Sequence, residues 1–354
     1  MKKYLLLLSG ALLFLSSCTF HTTNQKNAST YDYFLYFSTT MDKYLTSGRL
    51  IGVGEKNQML LKISGLELGS FTQLNHQIHT SDRQYDYIYT PETNEVMKTK
   101  RTTKEHTGIS TMVIEETVVK IFNHGYSDDG SYGNHFYVGD KHLNRNKFII
   151  GIGHDSQQIY TLHEDTEAIL LYQHTLVKGE LTTQFASSFP HDEHHEYIFV
   201  YDLVVYKDGL YGIAFNSAKN YQSKLFHYSM EEKQCTFTDL SPDITIDNSG
   251  FPYSNGGFIY NDQLVYLASD STIYFIDLET GKISKQHRIT IDLTGVFFVD
   301  PIDEQNIAIA SYDQENNIDI WTLNLTTFNE KKERTVHSTL WRNNEHLYDF
   351  QVKK

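Results

Sequence analysis

The stretch from Gly256 to Lys285 constrains the fold of this 354-residue chain more than any other. It contains three short runs of apolar and aromatic residues, and the gaps between them hold residues that close tight turns between antiparallel strands. The runs are Gly257–Tyr260, Leu264–Ala268 and Thr272–Asp277, and a fourth begins after Glu279-Thr280-Gly281-Lys282. A meander of four strands in about 40 residues is typical of one propeller blade.

Similar units recur along the chain. Tyr197–Thr238 repeats the first hairpin around the turn Lys207-Asp208-Gly209, and Val296–Thr322 repeats it around Asp303-Glu304-Gln305-Asn306. Fainter relatives lie at Arg49–Ile63, Arg83–Arg101, Ile109–Gly125 and Lys147–Gln173. This repetition predicts an all-β protein, a β-propeller of about seven four-stranded blades, with six or eight blades as alternatives.

The two ends of the repeated region are expected to complete one blade together. Tyr31–Phe37 and Tyr348–Val352 are candidate strands for this closure, and apolar and polar residues alternate in the second. Tyr31–Leu45 leaves strand and helix open, whereas Glu115–Asn123 favours a strand. No linker rich in Pro, Gly or Ser divides residues 31–354, which predicts a single propeller domain.

The first 17 residues have the pattern of a targeting segment. Lys2-Lys3 forms a positive start, and Tyr4–Leu15 is an apolar run too short to span a bilayer, for which about 20 residues are needed. Thr19–Thr30 is polar and lacks periodicity. Residues 18–30 are therefore expected to form a flexible tether before the propeller.

The tetrapeptide Leu15-Ser16-Ser17-Cys18 resembles the lipoprotein box of bacterial lipoproteins, in which a Leu and two small residues precede a Cys. The resemblance implies cleavage before Cys18, an acyl-bearing (palmitate-type) diacylglycerol thioether on its sulfur, and a place at the extracytoplasmic face of the cell membrane. A two-chain anchor of this kind holds a protein stably at a bilayer. We favour a single-membrane, Gram-positive envelope. The alternative is an ordinary signal peptide in which Cys18 is incidental.

Charge and cysteine content limit the partners. A formal net charge of −14 argues against nucleic acid and against electrostatic adhesion to anionic lipid, so a lipid would have to hold the chain at the membrane. Cys235 is the only other cysteine, and it is expected to lie in a strand as a small apolar residue rather than as a nucleophile. We expect a monomer that binds a protein or a glycan.

Ile273–Ile283 resembles the repeat of quinoprotein-like propellers, with an apolar strand, an Asp, two variable residues and Thr-Gly-Lys. Asp277 is expected to cap the turn, and Gly281 to supply a positive φ. The other units lack the Thr-Gly, and the Trp that often closes that repeat is missing. The resemblance therefore implies the propeller architecture, and no quinone site or catalytic residue is carried over.

The densest polar cluster runs from Pro190 to Glu196. Its candidate metal ligands are His191, Asp192, His194 and His195, because imidazole and carboxylate groups both suit Zn²⁺. The spacing is not His-Glu-x-x-His, and the Pro before the cluster and the strand after it place it in a loop. A solvated loop between blades is the alternative.

Three further stretches carry weaker signals. Asn123–His142 is predicted to be a surface loop, in which Asp128-Asp129-Gly130 lacks the ligand spacing of an EF-hand. Asp243–Asn255 is a candidate lining for the top of the propeller. Gly151-Ile152-Gly153-His154 lacks the following helix of a dinucleotide fingerprint.

These features favour a non-catalytic binding or scaffolding lipoprotein without a cofactor, since no catalytic constellation is recognised in the sequence. The alternative is a cell-surface hydrolase or lyase that acts on a carbohydrate or a lactone in the central pocket of the propeller. A metal analysis of the purified protein would distinguish the two functions. Stoichiometric zinc or calcium that is lost when His191, His194 and His195 are replaced would favour the enzyme.

Overall fold

Tight turns between apolar runs fold the chain into antiparallel meanders. The computed structural model describes residues 30–126, 132–165, 167–190, 197–199, 202–216, 222–240 and 257–354. A 3-10 turn, Ser338–Leu340, is the only helix in these ranges. Over the same ranges, no helix has the length and apolar character needed to cross a membrane.

The strands are numbered in chain order. They are β1 (Tyr31–Thr39), β2 (Gly48–Gly54), β3 (Gln58–Ile63), β4 (Phe71–Leu74), β5 (Gln77–Ser81), β6 (Tyr85–Thr90), β7 (Glu95–Lys100), β8 (Thr107–Ile114), β9 (Thr117–Tyr126), β10 (Tyr132–Val138), β11 (Lys141–Arg145), β12 (Ile149–His154), β13 (Gln158–Glu164), β14 (Ala168–Val177), β15 (Glu180–Pro190), β16 (Tyr197–Phe199), β17 (Asp202–Tyr206), β18 (Gly209–Asn216), β19 (Gln222–Ser229), β20 (Gln234–Asp239), β21 (Gly257–Tyr260), β22 (Gln263–Leu267), β23 (Thr272–Asp277), β24 (Ile283–Arg288), β25 (Phe297–Pro301), β26 (Asn306–Tyr312), β27 (Ile318–Asn324), β28 (Glu330–Val336) and β29 (Glu345–Val352).

Within the described residues, these strands form seven four-stranded blades. Six blades are continuous in sequence, namely β4–β7, β8–β11, β12–β15, β17–β20, β21–β24 and β25–β28. The seventh has the order β29-β1-β2-β3, and the short β16 pairs with β18. The predicted propeller of about seven four-stranded blades is therefore confirmed.

The chain ends close the ring. β29 pairs antiparallel with β1, with Tyr36 opposite Asp349, and the Lys353 N–H donates to the Asp32 carbonyl over 2.9 Å. At the other end of this pair, buried Glu345 accepts a hydrogen bond from the Ser47 hydroxyl over 2.6 Å. The predicted closure is confirmed, and the Tyr31 region is a strand rather than a helix.

Apolar side chains fill the spaces between neighbouring blades. Phe298 and Ile320 of the β25–β28 blade pack in one cluster with Leu35 and Phe37 of β1. The Trp341 ring stacks on Phe37 with their centroids 4.4 Å apart. Because these contacts join residues distant in sequence, the ring stabilises each blade through its neighbours.

Turn residues hold the register of the blade that contains Gly281. Asn261 and Asp262 both have positive φ, at 48° and 60°, as a two-residue hairpin turn requires. Gly281 has φ 65°, and the Asp277 carboxylate accepts hydrogen bonds from the Thr280 N–H (2.8 Å) and hydroxyl (2.7 Å). The expected roles of Asp277 and Gly281 are confirmed.

Inner strands of two neighbouring blades also touch directly. β12 and β17 pair in parallel, with Gly153 opposite Leu203. A Cβ added at Gly153 would lie 2.4 Å from the Leu203 carbonyl oxygen, so only glycine fits there. Within Gly151-Ile152-Gly153-His154, Gly153 thus has a packing role in a strand.

The surface loop predicted over Asn123–His142 is wrong for the part that the structure describes. β9 extends to Tyr126, β10 covers Tyr132–Val138, and Asn134 and His135 are buried. Small and polar residues gave this stretch the composition of a loop. The buried polar groups have distant partners, since the Asn134 amide donates to the Lys147 carbonyl. Asp128-Asp129-Gly130 lies outside the described residues.

Candidate functional site

The inner strands of the seven blades surround a central channel of about 780 Å³. Residues from β4, β8, β12, β17, β21, β25 and β29 line it, so every blade contributes one strand. A cavity of this size falls within the range of small-molecule binding sites, about 300–1,000 Å³. The ring closure places together residues that lie hundreds of positions apart in sequence.

Two carboxyl groups form the polar side of the channel. Asp349 lies on β29, and its two oxygens accept the backbone N–H groups of Phe71 (2.9 Å) and Phe350 (2.8 Å). Asp300 lies near the end of β25 and accepts the Val352 N–H over 2.8 Å. Each carboxyl retains lone pairs for a further donor.

Burial sets the protonation of this pair. The pKa of Asp349 is raised to about 7. Loss of solvent is the largest cause, the charge of Asp300 adds to the rise, and the hydrogen bonds of the carboxyl oppose it. Burial also raises the pKa of Asp300, while Lys354 lowers it. The negative charge of Asp300 disfavours a second charge on Asp349, so Asp349 is partly protonated at neutral pH.

Amide side chains hold in place the part of the lining that carries Asp300 and Asp349, here called the carboxyl wall. The Gln73 amide donates to the Val352 carbonyl over 2.8 Å, and the Gln351 amide donates to the Phe71 carbonyl. The Lys354 N–H donates to the Gln73 side-chain oxygen over 3.1 Å. β4 and β29 are therefore cross-linked at the polar end of the channel, which fixes the orientation of the Asp349 strand.

The remaining lining combines apolar residues with hydroxyl, amide and charged groups and one imidazole. Ile109, Ile152 and Ile259 line the channel on the inner strands of three other blades. His154, at the end of β12, also lines it. The channel therefore offers carboxyl groups and hydroxyl groups next to apolar surface.

Most residues singled out from the sequence lie outside the described part of the chain. His191, Asp192, His194 and His195 fall outside the described residues, as do Cys18 and Asp243–Asn255. Cys235 lies in β20, as expected, and burial raises the pKa of its thiol to about 12. A thiol in that environment is not a nucleophile at neutral pH.

Asp300 and Asp349 belong to no motif that marks them as site residues in the sequence. A signal was present for Asp300, because a carboxylate in the apolar strand β25 is unexpected at a buried position. The strand at Leu347–Val352 was predicted to alternate, and its polar positions, Asp349 and Gln351, line the channel.

Comparisons with known proteins support the architecture. A family model described as YycP, beta-propeller domain, matches residues 31–353. No curated protein matches the sequence. Apo AztD from Citrobacter koseri is similar in structure, with a TM-score of 0.51 at 12% identity over 92% of this chain and 98% of that chain.

A second AztD structure from the same organism gives a TM-score of 0.52 with the same identity and coverage. A puromycin hydrolase complexed with PGG gives 0.54 at 9% identity, over 88% of this chain but only 53% of that chain. At these identities the likeness shows a shared propeller fold and leaves activity open.

Proposed function

We propose that this chain, which belongs to the YycP β-propeller domain family, is a non-catalytic binding propeller that a lipid on Cys18 holds at the extracytoplasmic face of a bacterial membrane. Its ligand would be a glycan segment that enters the central channel. The observation that carries this proposal is the pair of carboxyl groups, Asp300 and Asp349, in the mixed polar and apolar lining of a cavity of about 780 Å³.

The chemistry of the channel fits a polyhydroxyl ligand. Carboxyl oxygens accept hydrogen bonds from hydroxyl groups, and the hydrogen bonds that an ionised carboxylate accepts are the stronger ones. Apolar walls accommodate the C–H faces of a sugar ring. A ligand hydroxyl that donates to Asp349 would replace solvent that the carboxyl has lost by burial.

The topology suits an anchored protein. β1 begins at Tyr31 beside the end of β29, so a tether from Cys18 would leave from the face where Asp300 and Lys354 line the channel. The twelve or so residues of the tether would reach at most roughly 40 Å when extended. The end of the channel that Asp300 and Lys354 line would then face the cell envelope.

Native mass spectrometry can test this proposal. Full-length protein in detergent would be mixed with oligosaccharides released from a bacterial envelope. We expect the wild type to retain a bound oligosaccharide and the Asp300→Asn/Asp349→Asn variant to lose at least about tenfold in affinity, since each lost charged hydrogen bond contributes about 1.5–3 kcal/mol. Asp270→Asn, on an exposed turn, is the matched control. Equal retention by both variants would contradict a glycan site in the channel, and recovery of a protein instead would point to a protein partner.

A second candidate function rests on the same two carboxyl groups. A carboxyl that is partly protonated at pH 7 beside a second one could serve as a general acid in a hydrolase or lyase acting on a carbohydrate or a lactone. Turnover of such a substrate by the wild type, lost in Asp349→Asn with binding retained, would replace the binding role by this one.

A further inference from the structure

A group of three metal-ligating side chains lies in the β8–β11 blade, apart from the central channel. Glu105 is in the loop before β8, His124 is near the end of β9, and His135 is in β10. One ligand atom from each lies within 4.8 Å of the others. Glu105 and His135 are buried, whereas the His124 side chain is 33% exposed.

A β-bulge directs His124 into this group. In the β9–β10 register, Gly125 lies opposite Gly133 and Asn123 opposite Asn134, so His124 has no partner on β10. Gly125 has φ 85°, and its N–H donates to the Asn123 side chain over 2.7 Å. Bulges of this kind re-aim a side chain, and here the His124 ring stacks on His135 with their centroids 4.3 Å apart.

The His124 ring has a nitrogen without a hydrogen bond. Its Nδ1 is buried and makes none, although Oε2 of Glu105 lies 3.4 Å away. Buried polar atoms of this kind call for an explanation, and a metal ion bound there is one. The hydrogen bonds between His135 and Glu105 explain the position of His135 alone.

Distances in the group suit a small ion. Nδ1 of His135 lies 3.0 Å from each oxygen of Glu105. Zn–N and Zn–O bonds of about 2.0–2.2 Å in a tetrahedron place ligand atoms roughly 3.3–3.5 Å apart. The separations of 3.0 and 3.4 Å are close to that spacing, so small adjustments would bring all three atoms onto one ion.

Neighbouring hydroxyl groups orient the carboxylate. The Tyr137 hydroxyl donates to Oε1 of Glu105 over 2.9 Å, and the Thr103 hydroxyl donates to the same atom over 2.5 Å. An oriented carboxylate is what a metal ligand requires.

We infer that Glu105, His124 and His135 form a binding site for Zn²⁺ or a similar divalent transition metal. Two imidazoles and one carboxylate are a ligand set that zinc accepts. The partial exposure of His124 leaves a solvent-facing fourth position and a path by which the ion can enter. None of the three residues lines the channel, so the test of the metal site does not depend on whether the channel binds a glycan.

Zinc titration of full-length protein tests the site. The protein would be purified in detergent, stripped with EDTA and titrated calorimetrically with Zn²⁺ alone. All variants would be made in a background with His191, His194 and His195 replaced by Ala, so that this second histidine group contributes no zinc binding.

We expect this background to bind one Zn²⁺ per chain. Because loss of an outer partner of a metal ligand already costs about 10–100-fold, His124→Ala and Glu105→Gln should each weaken binding at least about 100-fold. His346→Ala, at an exposed histidine, should leave the affinity unchanged. Circular dichroism would verify folding, and His124→Gln would replace any variant that fails to fold.

Cobalt gives an independent readout of coordination. Co²⁺ bound to the background protein should show the stronger visible absorption of a four-coordinate ion, lost in Glu105→Gln. The proposal is overturned if zinc binding vanishes in the background itself, if His124→Ala and Glu105→Gln bind zinc as tightly as their parent, or if Co²⁺ keeps the spectrum of the aqueous ion.

Discussion

Replacing Asp349 by asparagine should change how the stability of the propeller depends on pH. Burial raises the pKa of Asp349 from 3.8 to about 7 in the folded chain. A tenfold change in an ionisation constant corresponds to about 1.4 kcal/mol. Ionisation of Asp349 therefore costs about 4 kcal/mol more free energy in the folded state than in the unfolded state.

The direction follows from the raised pKa. Below about pH 4, Asp349 is neutral in both states and costs nothing by this route. As the pH rises from about 4 to about 7, the unfolded chain releases the proton while the folded chain keeps it. Stability from this residue is therefore lost progressively over that window and stays low above pH 7.

Urea unfolding at pH 5 and pH 8 measures the effect. Asparagine cannot ionise, so the free energy of unfolding of Asp349→Asn minus that of the wild type should rise by about 3 kcal/mol between the two pH values. A constant offset of about 1–3 kcal/mol is also expected, because the amide N–H replaces an oxygen that accepts a backbone N–H. Titrations of groups that do not interact with Asp349 cancel in the difference.

Asp303→Asn is a control that removes a carboxyl group whose pKa is lowered rather than raised. Hydrogen bonds from the Asn306 side chain and the Gln305 N–H lower the pKa of this exposed carboxyl. Its removal should therefore cost the same stability at pH 5 and at pH 8, and cost less only below the unfolded pKa, as the pH falls through the lowered folded pKa. A difference for Asp349→Asn that is flat between pH 5 and pH 8 would refute the account of a desolvated carboxyl in the channel.

Three other predictions follow from the fold and the anchor. Trp341→Ala should lower the free energy of urea unfolding by about 3–5 kcal/mol, because the ring stacks on Phe37 in the closing blade; a loss below about 1 kcal/mol would contradict that packing. Gly281→Ala should lower the thermal midpoint more than Gly179→Ala, since both have positive φ but only at Gly281 would a Cβ meet a neighbour, at 2.6 Å; equal midpoints would contradict the close approach. Cys18→Ser should move the protein from the membrane fraction to the soluble fraction on immunoblots, and retention in the membrane would argue against the lipid anchor.

Local signals in the sequence predicted the architecture. Turn residues such as Asn261-Asp262 and Gly281 act within four or five positions, so a single sequence is enough to place them. Their repetition gave the approximate number of blades. The closing pair of strands was predicted because closed propellers often complete one blade with strands from both ends of the repeated region.

Non-local contacts could not be predicted in the same way. Asp300 and Asp349 become neighbours only when the ring closes, and no local pattern sets their separation. The stretch that holds His135 was mistaken for a loop because its polar residues find their partners far away, in Glu105 and the Lys147 carbonyl. The β-bulge at His124 further hides the alternation of the strand.

The central claim is that the channel is the binding site, and calorimetry with the oligosaccharide recovered by native mass spectrometry tests it directly. We would compare the wild type with Asp300→Asn/Asp349→Asn, which removes the carboxyl charges, and with Ser110→Trp, which fills part of the channel from β8. The account predicts that each variant weakens binding at least about tenfold while its circular dichroism stays that of the wild type. Wild-type affinity in both variants would contradict it.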